Sequence, residues 1–483
     1  MSRRIVGPFN RVEGDLEVQL DIQHGKVADA WVVSPLYRGF EQMLHGKHPN
    51  DAMSYVPRIC GICSVAQSVA SAYALADAQG VQMPSNGELA VNLILANENL
   101  ADHLTHFYMF FMPDFAREIY KNEPWHAVVA ERFTAMKGSA ARQMLPARAA
   151  FMHLMGILAG KWPHTLAIQP GGTTRGVKAE EQVRMLTTLY QFRCFLEDTL
   201  FGDSLENIAN LSSSNELKSW LENDKHSNRD FGLFLSVADA LQLHTMGRAT
   251  DRFMSYGVYP TNGEPLFARG LWEEGHLARL DIDAIREDVS HSWMIKYGEP
   301  KHPFDGVTQP DPDMQDGYSW CKAPRLDGKV VEVGALARQL VNGHPLIQSL
   351  VTESGGNVRN RVIARLLELA LVAIEMEAWI KAIRPNETFC NLVSMPDEAE
   401  GVGLMEAARG SLGHWLKIKH GRILNYQIIA PTTWNFAPRD LNEQPGALEQ
   451  ALIGATVRQG EITPVEVQHI VRSFDPCMVC TVH

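Results

Sequence analysis

The sequence predicts an α-rich α/β fold: one large domain over residues 1–483, with a central helical bundle and small peripheral β-sheets. Three observations lead to this prediction. Three long stretches are too rich in apolar residues for one narrow stripe, which indicates helices packed on several sides. Two shorter stretches alternate as antiparallel strand pairs. Across the 483 residues, no repeat, low-complexity tract or linker separates autonomous domains.

Two strand pairs are predicted, one near each end of the chain. Alternate residues from Leu16 to Ile22 are apolar, a turn follows at "HGK" (24–26), and "VADAWVV" (27–33) returns. The stretch "HWLKIKHGRILNYQIIA" (414–430) has the same character and also turns at His-Gly. Small two-sided pairs of this kind suit the edge of a larger helical body.

Helices are predicted over residues 88–112, 179–200 and 360–383. The first reads "ELAVNLILANENLADHLTHFYMFFM" and the last "NRVIARLLELALVAIEMEAWIKAI". Between the helices lie Gly/Pro-rich connections such as "QPGGTTRG" and "FDGVTQPDPDMQDG". The long helices are therefore expected to form the centre of the domain.

Charge and hydropathy exclude several kinds of partner. With 44 basic and 56 acidic residues, the net charge of -12 argues against nucleic acid or an anionic membrane surface. No apolar run reaches the eighteen residues of a membrane span, so no direct membrane insertion is expected. The start of the chain has no signal-peptide core, which predicts a cytoplasmic location. Export on a partner that carries the signal is the alternative.

Seven cysteines are too few and too uneven for a disulfide framework. Three of them stand alone in mixed sequence and are predicted to be small buried hydrophobes: Cys194, Cys321 and Cys390. The other four form two CxxC pairs, at 60–63 and 477–480, almost at opposite ends of the chain.

The spacing within each CxxC pair suits metal binding, because two thiolates this close can face one ion. In structural zinc sites the second cysteine pair usually follows within a few tens of residues. A redox-active CxxC pair usually lies in a thioredoxin-like βαβ context, which neither segment has. Spacing alone leaves structural zinc and a redox-active nickel or iron site equally open, with inert buried cysteines as a third reading.

The flanking sequence separates these readings. The pairs lie in "RICGICSVAQS" and "RSFDPCMVCTVH", with "RVEGDLEV" and "RGFEQ" upstream. Together these segments closely resemble the signatures of the large subunit of nickel–iron hydrogenases. The resemblance continues through "ENLADHLTHFY", "KAPRLDGKVVEVGALAR", "ARGSLGHW" and "NYQIIAPTTWN", so it covers nearly the whole chain. It implies the large-subunit fold of that family and the reaction H2 ⇌ 2 H⁺ + 2 e⁻.

The resemblance also implies three metals. All four paired thiolates would bind nickel: Cys60, Cys63, Cys477 and Cys480. The second cysteine of each pair, Cys63 and Cys480, would also bind an iron that carries one CO and two CN ligands. Magnesium would be bound by Glu41, the backbone carbonyl of Ile428 and the last residue, His483. Redox-capable soft metals suit H2 chemistry, whereas closed tetrahedral zinc offers neither redox change nor an open position.

Four residues match the catalytic positions of the family. Glu13 corresponds to its proton-transfer glutamate; without the resemblance, Glu13 would be read as an exposed partner of Arg11. Arg409 corresponds to the arginine above the open metal position. Cys480 and Cys60 are further candidate proton acceptors, and the sequence does not rank them against Arg409.

Further matched residues surround these positions. Asp102 and Asp475 would hold Arg409, although structural salt-bridged aspartates are the simpler reading. Pro431 and Thr432 would cup the diatomic ligands of iron. Lys322 and Arg325 of "KAPR" are expected to support the site.

Three departures from the family pattern predict a subclass. Gln67 stands where most members have histidine, Ile62 where they have valine and Phe110 where they have leucine. Ile62 and Phe110 line the gas channel in the family, and extra bulk there would admit H2 while hindering the larger O2. With the chain ending on His483, these features resemble the H2-sensing, regulatory hydrogenases.

The sequence therefore predicts an O2-tolerant H2 sensor with slow turnover. An energy-conserving uptake hydrogenase that feeds a respiratory chain is the alternative, and a non-enzymatic scaffold is disfavoured because it would not need four thiols. Electrons must leave the site, so a small subunit that carries iron–sulfur clusters is expected as partner. A sensor would also engage a histidine kinase.

Overall fold

The helices gather around two long central ones. The computed structural model describes residues 2–483. Its helices are α1 (Phe40–Leu44), α2 (Ala52–Tyr55), α3 (Ser64–Gln79), α4 (Ser85–Thr105), α5 (His126–Phe133), α6 (Ser139–Phe151), α7 (His153–Ala159), α8 (Ala179–Phe195), α9 (Leu205–Ala209), α10 (Ser214–Leu221), α11 (Asp224–Ser227), α12 (Asp230–Ala240), α13 (Ala335–Val341), α14 (Pro345–Ser354), α15 (Val358–Ala382), α16 (Pro431–Asn435), α17 (Ala447–Leu452), α18 (Val465–Ser473) and α19 (Met478–Thr481). Helices α4 and α15 pack on each other, and both are buried around most of their circumference. The predicted central bundle is confirmed.

Local sequence explains where the longest helix begins. The side chain of Asn357 accepts a hydrogen bond from the backbone N–H of Asn360 at 3.0 Å, which caps α15. The apolar residues of α15 cover several faces, as expected for a helix packed on all sides.

All three predicted helices are confirmed, with one difference at their ends. The prediction continued helix to residues 112 and 200, but α4 and α8 widen into π-helical turns at His106–Phe111 and Leu196–Phe201. The first turn then tightens into a short 3₁₀ segment that contains Pro113, which cannot continue a helix. Phe110 lies in the π-helical turn.

The strands form small antiparallel sheets at the periphery. They are β1 (Ser2–Val6), β2 (Glu17–Gln23), β3 (Lys26–Val33), β4 (Ile168–Gln169), β5 (Gly172–Thr173), β6 (Phe253–Thr261), β7 (Glu264–Glu273), β8 (His276–Ala278), β9 (Ile285–Asp288), β10 (Ala323–Leu326), β11 (Ala399–Ala407), β12 (Gly410–Lys419) and β13 (Arg422–Ile429). Both predicted pairs are confirmed, as β2/β3 and β12/β13, and each belongs to a three-stranded sheet, β1-β2-β3 and β11-β12-β13.

Strand β11 was not predicted because its sequence does not alternate between apolar and polar residues. Its residues pack against a helix instead. It lies directly on α3, and a Cβ on Gly403 would come within 1.9 Å of the carbonyl oxygen of Ala70. Only glycine permits this approach. The sheet therefore presses α3, which begins just after the first CxxC pair, against the body of the molecule.

Two further predictions can be compared with the structure. Among the helices of residues 2–483, none is long and apolar enough to cross a membrane. Cys321 is buried as predicted, but Cys194 and Cys390 are only half-buried, so that prediction is wrong for both. On α8 the buried residues are Met185, Leu189 and Phe192, and Cys194 lies outside this stripe. The single domain over residues 1–483 remains a prediction.

Candidate metal centre

The four paired cysteines converge although they lie at opposite ends of the chain. Cys63 Sγ lies 3.0 Å from Cys480 Sγ, and Cys60 Sγ lies 3.5 Å from Cys477 Sγ. All four sulfur atoms lie within 4.8 Å of one another, and none is in a disulfide. This is a donor set for one metal centre, as soft ligands in this number require.

The first pair is positioned by the start of a helix near the surface. Cys60 is buried, whereas Ile62 and Cys63 are half-buried. Cys63 directly precedes α3, and its carbonyl accepts the backbone N–H of Gln67 at 3.1 Å. The backbone N–H of Ile62 points at Cys60 Sγ, 3.3 Å away, as in a tight metal-binding turn.

The second pair is held by remote segments of the chain. Glu13 forms a short parallel bridge with Cys477, in which the N–H of Met478 donates to the Glu13 carbonyl at 2.7 Å. The Cys477 N–H donates to Thr432 Oγ1 at 3.2 Å. The chain end is consequently buried, with His483 only 5% exposed, where a free terminus would normally fray.

Arg38 of "RGFEQ" joins the two pairs. Its guanidinium donates to the carbonyl of Ile59 at 2.6 Å and also to the carbonyl of Val479. Each of these carbonyls directly precedes a cysteine of the site. Sequence reasoning passed over Arg38, although it lies beside Glu41 in a motif that was singled out.

The protonation of the four thiols depends on whether a cation is bound among them. Hydrogen bonds from Cys477, Cys480 and Cys63 hold the pKa of the Cys60 thiol well below its usual range. The pKa values of Cys63 and Cys480 are raised well above theirs, by hydrogen bonding within the cluster and by burial. Without a cation the cluster favours only one thiolate, whereas a bound soft metal lets all four ionise.

Arg409 lies between two carboxylates and the thiols. Its Nη1 is 2.7 Å from Asp102 Oδ2, and its Nη2 donates to Asp475 Oδ1 at 3.2 Å. Burial lowers the pKa of Arg409, but the two aspartates, with Cys477 and Cys63, outweigh that effect and raise it well above its usual value. The contact between Nη1 and Asp102 Oδ2 is close, but it is an ion pair without good hydrogen-bond geometry.

The two aspartates differ in their protonation. Burial raises the pKa of Asp102 to about 7, even though Arg409 lowers it. Asp475 is equally buried, but Arg409, His106 and Arg365 hold its pKa below the usual value. The arginine therefore has one firmly ionised partner and one that titrates near neutrality.

Glu13 has the surroundings of an acid–base residue. It is half-buried, and burial followed by the charge of Cys60 raises the pKa of its carboxyl. The alternative, a surface pair with Arg11, is wrong, since Arg11 pairs with Asp114 and donates to the Phe110 carbonyl at 3.0 Å.

A second polar cluster surrounds the chain end. His483 Nε2 lies 3.3 Å from Glu41 Oε1, and the N–H of Ile428 donates to the same oxygen at 2.8 Å. Lys322 Nζ lies 3.2 Å from Glu41 Oε2 and 3.3 Å from Glu287 Oε2. Burial raises the pKa of Glu41, but Lys322 and His483 outweigh it and lower the pKa to about 2.

This cluster brings together the three residues predicted for magnesium. Glu41 and Glu287 present more acidic charge than Lys322 neutralises, and carboxylate oxygens are the ligands that magnesium prefers. Ile428 meets Glu41 through its N–H, while the prediction concerned its carbonyl. Glu287 was not predicted, because no short motif marks it.

The remaining predicted residues lie around the two clusters. Gln67 Oε1 is 2.9 Å from His414 Nε2, and His414 Nδ1 is 2.8 Å from the hydroxyl of Tyr426. Pro431 and Thr432 are buried at the start of α16, which packs on α19. Ile62 packs against the core, and Phe110 is half-buried. His414 was missed because nothing in the sequence links it to Gln67.

Comparison with known proteins agrees with this geometry. The family model described as nickel-dependent hydrogenase matches residues 38–143 and 139–483. The periplasmic [NiFeSe] hydrogenase large subunit of Desulfomicrobium baculatum is 30% identical, over 99% of this chain and 94% of that protein. The uptake hydrogenase large subunit of Rhodobacter capsulatus is 27% identical, over 100% and 95%. The reduced, active Ni-Fe-Se hydrogenase of D. baculatum superposes with a TM-score of 0.87 at 29% identity, covering 100% of both chains.

These relatives overturn one prediction. The cytoplasmic location expected from the start of the chain is wrong, since a relative matched over 99% of the chain is named periplasmic. The alternative, export on a partner that carries the signal, is compatible with a periplasmic relative.

Proposed function

The chain belongs to the nickel-dependent hydrogenase family, and we propose that it works in the uptake direction, H2 → 2 H⁺ + 2 e⁻. It is the large subunit of a hydrogenase and therefore an oxidoreductase. The observation that carries the proposal is the convergence of four thiols near Arg409, whose guanidinium is paired with two buried carboxylates.

We assign the metals as the motif resemblance implies. Cys60, Cys63, Cys477 and Cys480 would hold nickel, and Cys63 and Cys480, whose sulfur atoms are 3.0 Å apart, would also hold the iron with its CO and two CN ligands. When bound, this centre supplies a soft redox-active position at which H2 is split. Magnesium takes Glu41, Ile428 and His483.

Protein groups then handle the two protons. Arg409 is held charged by Asp102 and Asp475, which makes it a poor base and a good donor toward bound H2. Cys480 and Cys60 are accordingly the better acceptors for the first proton. Glu13, half-buried and bridged to the Cys477 backbone, takes the proton onward toward the surface.

The surrounding residues are assigned to positioning. Asp102 and Asp475 orient the guanidinium through the contacts described above. Thr432 accepts a hydrogen bond from the Cys477 N–H, so its hydroxyl proton can be donated to a diatomic ligand of iron. Pro431 would line the same pocket around the diatomic ligands. Gln67 lies one helical turn after Cys63, and its side chain is fixed by His414.

The electrons need a partner. Among residues 2–483 the four cysteines form the one cluster of thiols that could hold a metal, and all four are assigned to nickel and iron, so onward electron transfer requires iron–sulfur clusters in a small subunit. The half-buried segment from Gly61 to Cys63 puts the centre just beneath the surface, and we propose that the small subunit covers this face. If the small subunit carries an export signal, both subunits would be exported together to the periplasmic side.

Regulatory sensing is the second candidate, and it depends on Ile62, Phe110 and Gln67. No relative reported above is named as a sensor, which favours uptake. A sensor would turn over slowly, survive air and engage a histidine kinase. The double variant Ile62→Val with Phe110→Leu, which restores the family's usual channel residues, tests the sensor hypothesis. A sensor should become sensitive to O2. Unchanged survival in air would show that these two side chains do not keep O2 out by narrowing the channel.

The proton assignment is tested with Glu13→Gln. This variant keeps the shape and the backbone bridge but cannot carry a proton, so H/D exchange with H2 should fall to background while nickel and iron remain bound. Glu17→Gln, on the neighbouring strand β2, is the matched control and should exchange like the parent. Normal exchange in Glu13→Gln would remove Glu13 from the proton path.

A further inference from the structure

A buried carboxylate lies directly behind the first CxxC pair and takes no part in the chemistry assigned above. Glu98 is 3% exposed on α4. Its Oε2 accepts the N–H of Val65 at 3.0 Å and the indole N–H of Trp162 at 2.8 Å. Its Oε1 accepts the N–H of Ala66 at 2.9 Å.

These contacts replace a missing helix cap. Helix α3 begins at Ser64, and its N-cap residue, Cys63, offers no side-chain cap to the N–H groups of the first turn. Those N–H groups have no partner within the helix and need an acceptor. Glu98 supplies that acceptor from another helix, where the helix dipole also favours a negative charge.

Glu98 has no cationic partner. Within residues 2–483 no lysine, arginine or histidine nitrogen lies within 4.0 Å of its carboxylate, whereas Asp102 and Asp475 share Arg409. Ser64 Oγ, at 3.4 Å, completes a set of groups that donate to it. A carboxyl group held in the interior by neutral N–H and O–H donors, without a cation, indicates a positional role.

Helix α4 thereby supports the centre from two points. Glu98 and Asp102 are four residues apart, so they lie on one face of α4, one turn from each other. Asp102 reaches Arg409 above the thiols, and Glu98 reaches the turn from which Cys63 emerges. One rigid helix can thus set the distance between the guanidinium and the first CxxC pair.

We propose that Glu98 is a positioning residue of the metal centre, which anchors the first turn of α3 and thereby fixes Cys63. The inference rests on the proposed function for the identity of the bound metals. It does not rest on it for the geometry of Cys63.

The test replaces the carboxylate without changing its size. Glu98→Gln places an amide N–H against N–H donors and removes the ability of the side chain to ionise. Outer contacts of this kind typically change metal affinity about 10–100-fold. We expect nickel to be lost to a chelator faster by a factor in that range, and the CO and CN infrared bands to shift. In the full chain produced without nickel, Cys63 should be alkylated faster by iodoacetamide.

Controls separate position from general damage. Glu88→Gln makes the same change at the other end of α4, where the carboxylate accepts the N–H of Asn262, and should leave all three readouts unchanged. Should Glu98→Gln fail to fold, Trp162→Phe removes a single hydrogen bond to Glu98 and should give the same changes at smaller size.

The outcomes decide between the two proposals. Nickel retention, band positions and Cys63 alkylation all equal to the parent would overturn the role of Glu98. A parent protein without nickel or diatomic bands would overturn the proposed function, yet the alkylation comparison in the metal-free chain would still decide the role of Glu98.

Discussion

The two CxxC segments have the same spacing but are held in place by different means. The first begins a sixteen-residue helix, and Glu98 accepts hydrogen bonds from the N–H groups of its first turn. The second begins a helix of only four residues and relies on Glu13, Thr432 and Glu41 from three remote parts of the chain.

The difference shows which half of the site depends on tertiary structure. A helix that continues for several turns keeps its first turn in shape once it is capped. A four-residue helix has no such stability, so its cysteines are placed by the contacts around them. Changes near residues 477–483 should therefore disturb the centre more than similar changes near residues 60–66.

The largest effect should follow the loss of a shared thiol in the second segment. Cys480→Ser removes one of the two closest sulfurs and should abolish metal binding and H2-dependent dye reduction. Cys390→Ser, at a half-buried lone cysteine, should leave both unchanged. Residual nickel at the parent's stoichiometry in Cys480→Ser would contradict the four-thiol site.

The next largest effect concerns the ion pairs that Arg409 makes with Asp102 and Asp475. Arg409→Met leaves Asp102 and Asp475 buried without their cation, which should cost about 3–5 kcal/mol of unfolding free energy in the metal-free chain. Arg325→Met, which strands the similarly buried Asp440, provides a matched comparison away from the thiols. If only the first variant loses dye reduction in the loaded enzyme, the loss of activity reflects the site and not stability.

The stability that Glu98 contributes at the first CxxC segment should depend on pH. Burial raises the pKa of Glu98 to about 8 from a usual value of 4.5, although Val65 and Ala66 N–H groups lower it. Its stabilising contribution is complete below pH 4.5 and is lost as the pH rises to 8. In denaturant titrations of the metal-free chain, the stability of the parent relative to Glu98→Gln should fall across that window. A difference that is constant with pH would mean that Glu98 does not titrate there.

The smallest expected effect is at a single hydrogen bond of the second segment. Thr432→Val leaves the buried Cys477 N–H without an acceptor, at a cost of about 1–3 kcal/mol. Thr187→Val, on the exposed side of α8, should change stability by about 0.5 kcal/mol or less. Equal stability of the two variants would show that Cys477 is held by other contacts.

Much of the fold followed from local patterns. Dense apolar stretches predicted α4, α8 and α15, and alternation predicted two strand pairs. The third strands were missed because β1 is short and polar, while β11 has glycines where it crosses α3. These features follow from contacts between distant segments, which periodicity does not record.

The site divides in the same way. The thiols, Arg409 and its aspartates could be predicted because they lie in recognisable motifs. Glu98, Arg38 and His414 lie within the quoted motifs, but they act through hydrogen bonds to residues far away in the chain, which the motifs do not indicate. The metal ligation, the gas channel and the proton path remain predictions.

The proposal that the four thiols hold a nickel–iron centre is tested most directly by an infrared spectrum of the purified complex, with and without H2, together with metal analysis. The account predicts nickel and iron in equal amounts, one carbonyl band and two cyanide bands, and a shift of these bands under H2. Zinc in place of nickel, with no diatomic bands, would contradict it.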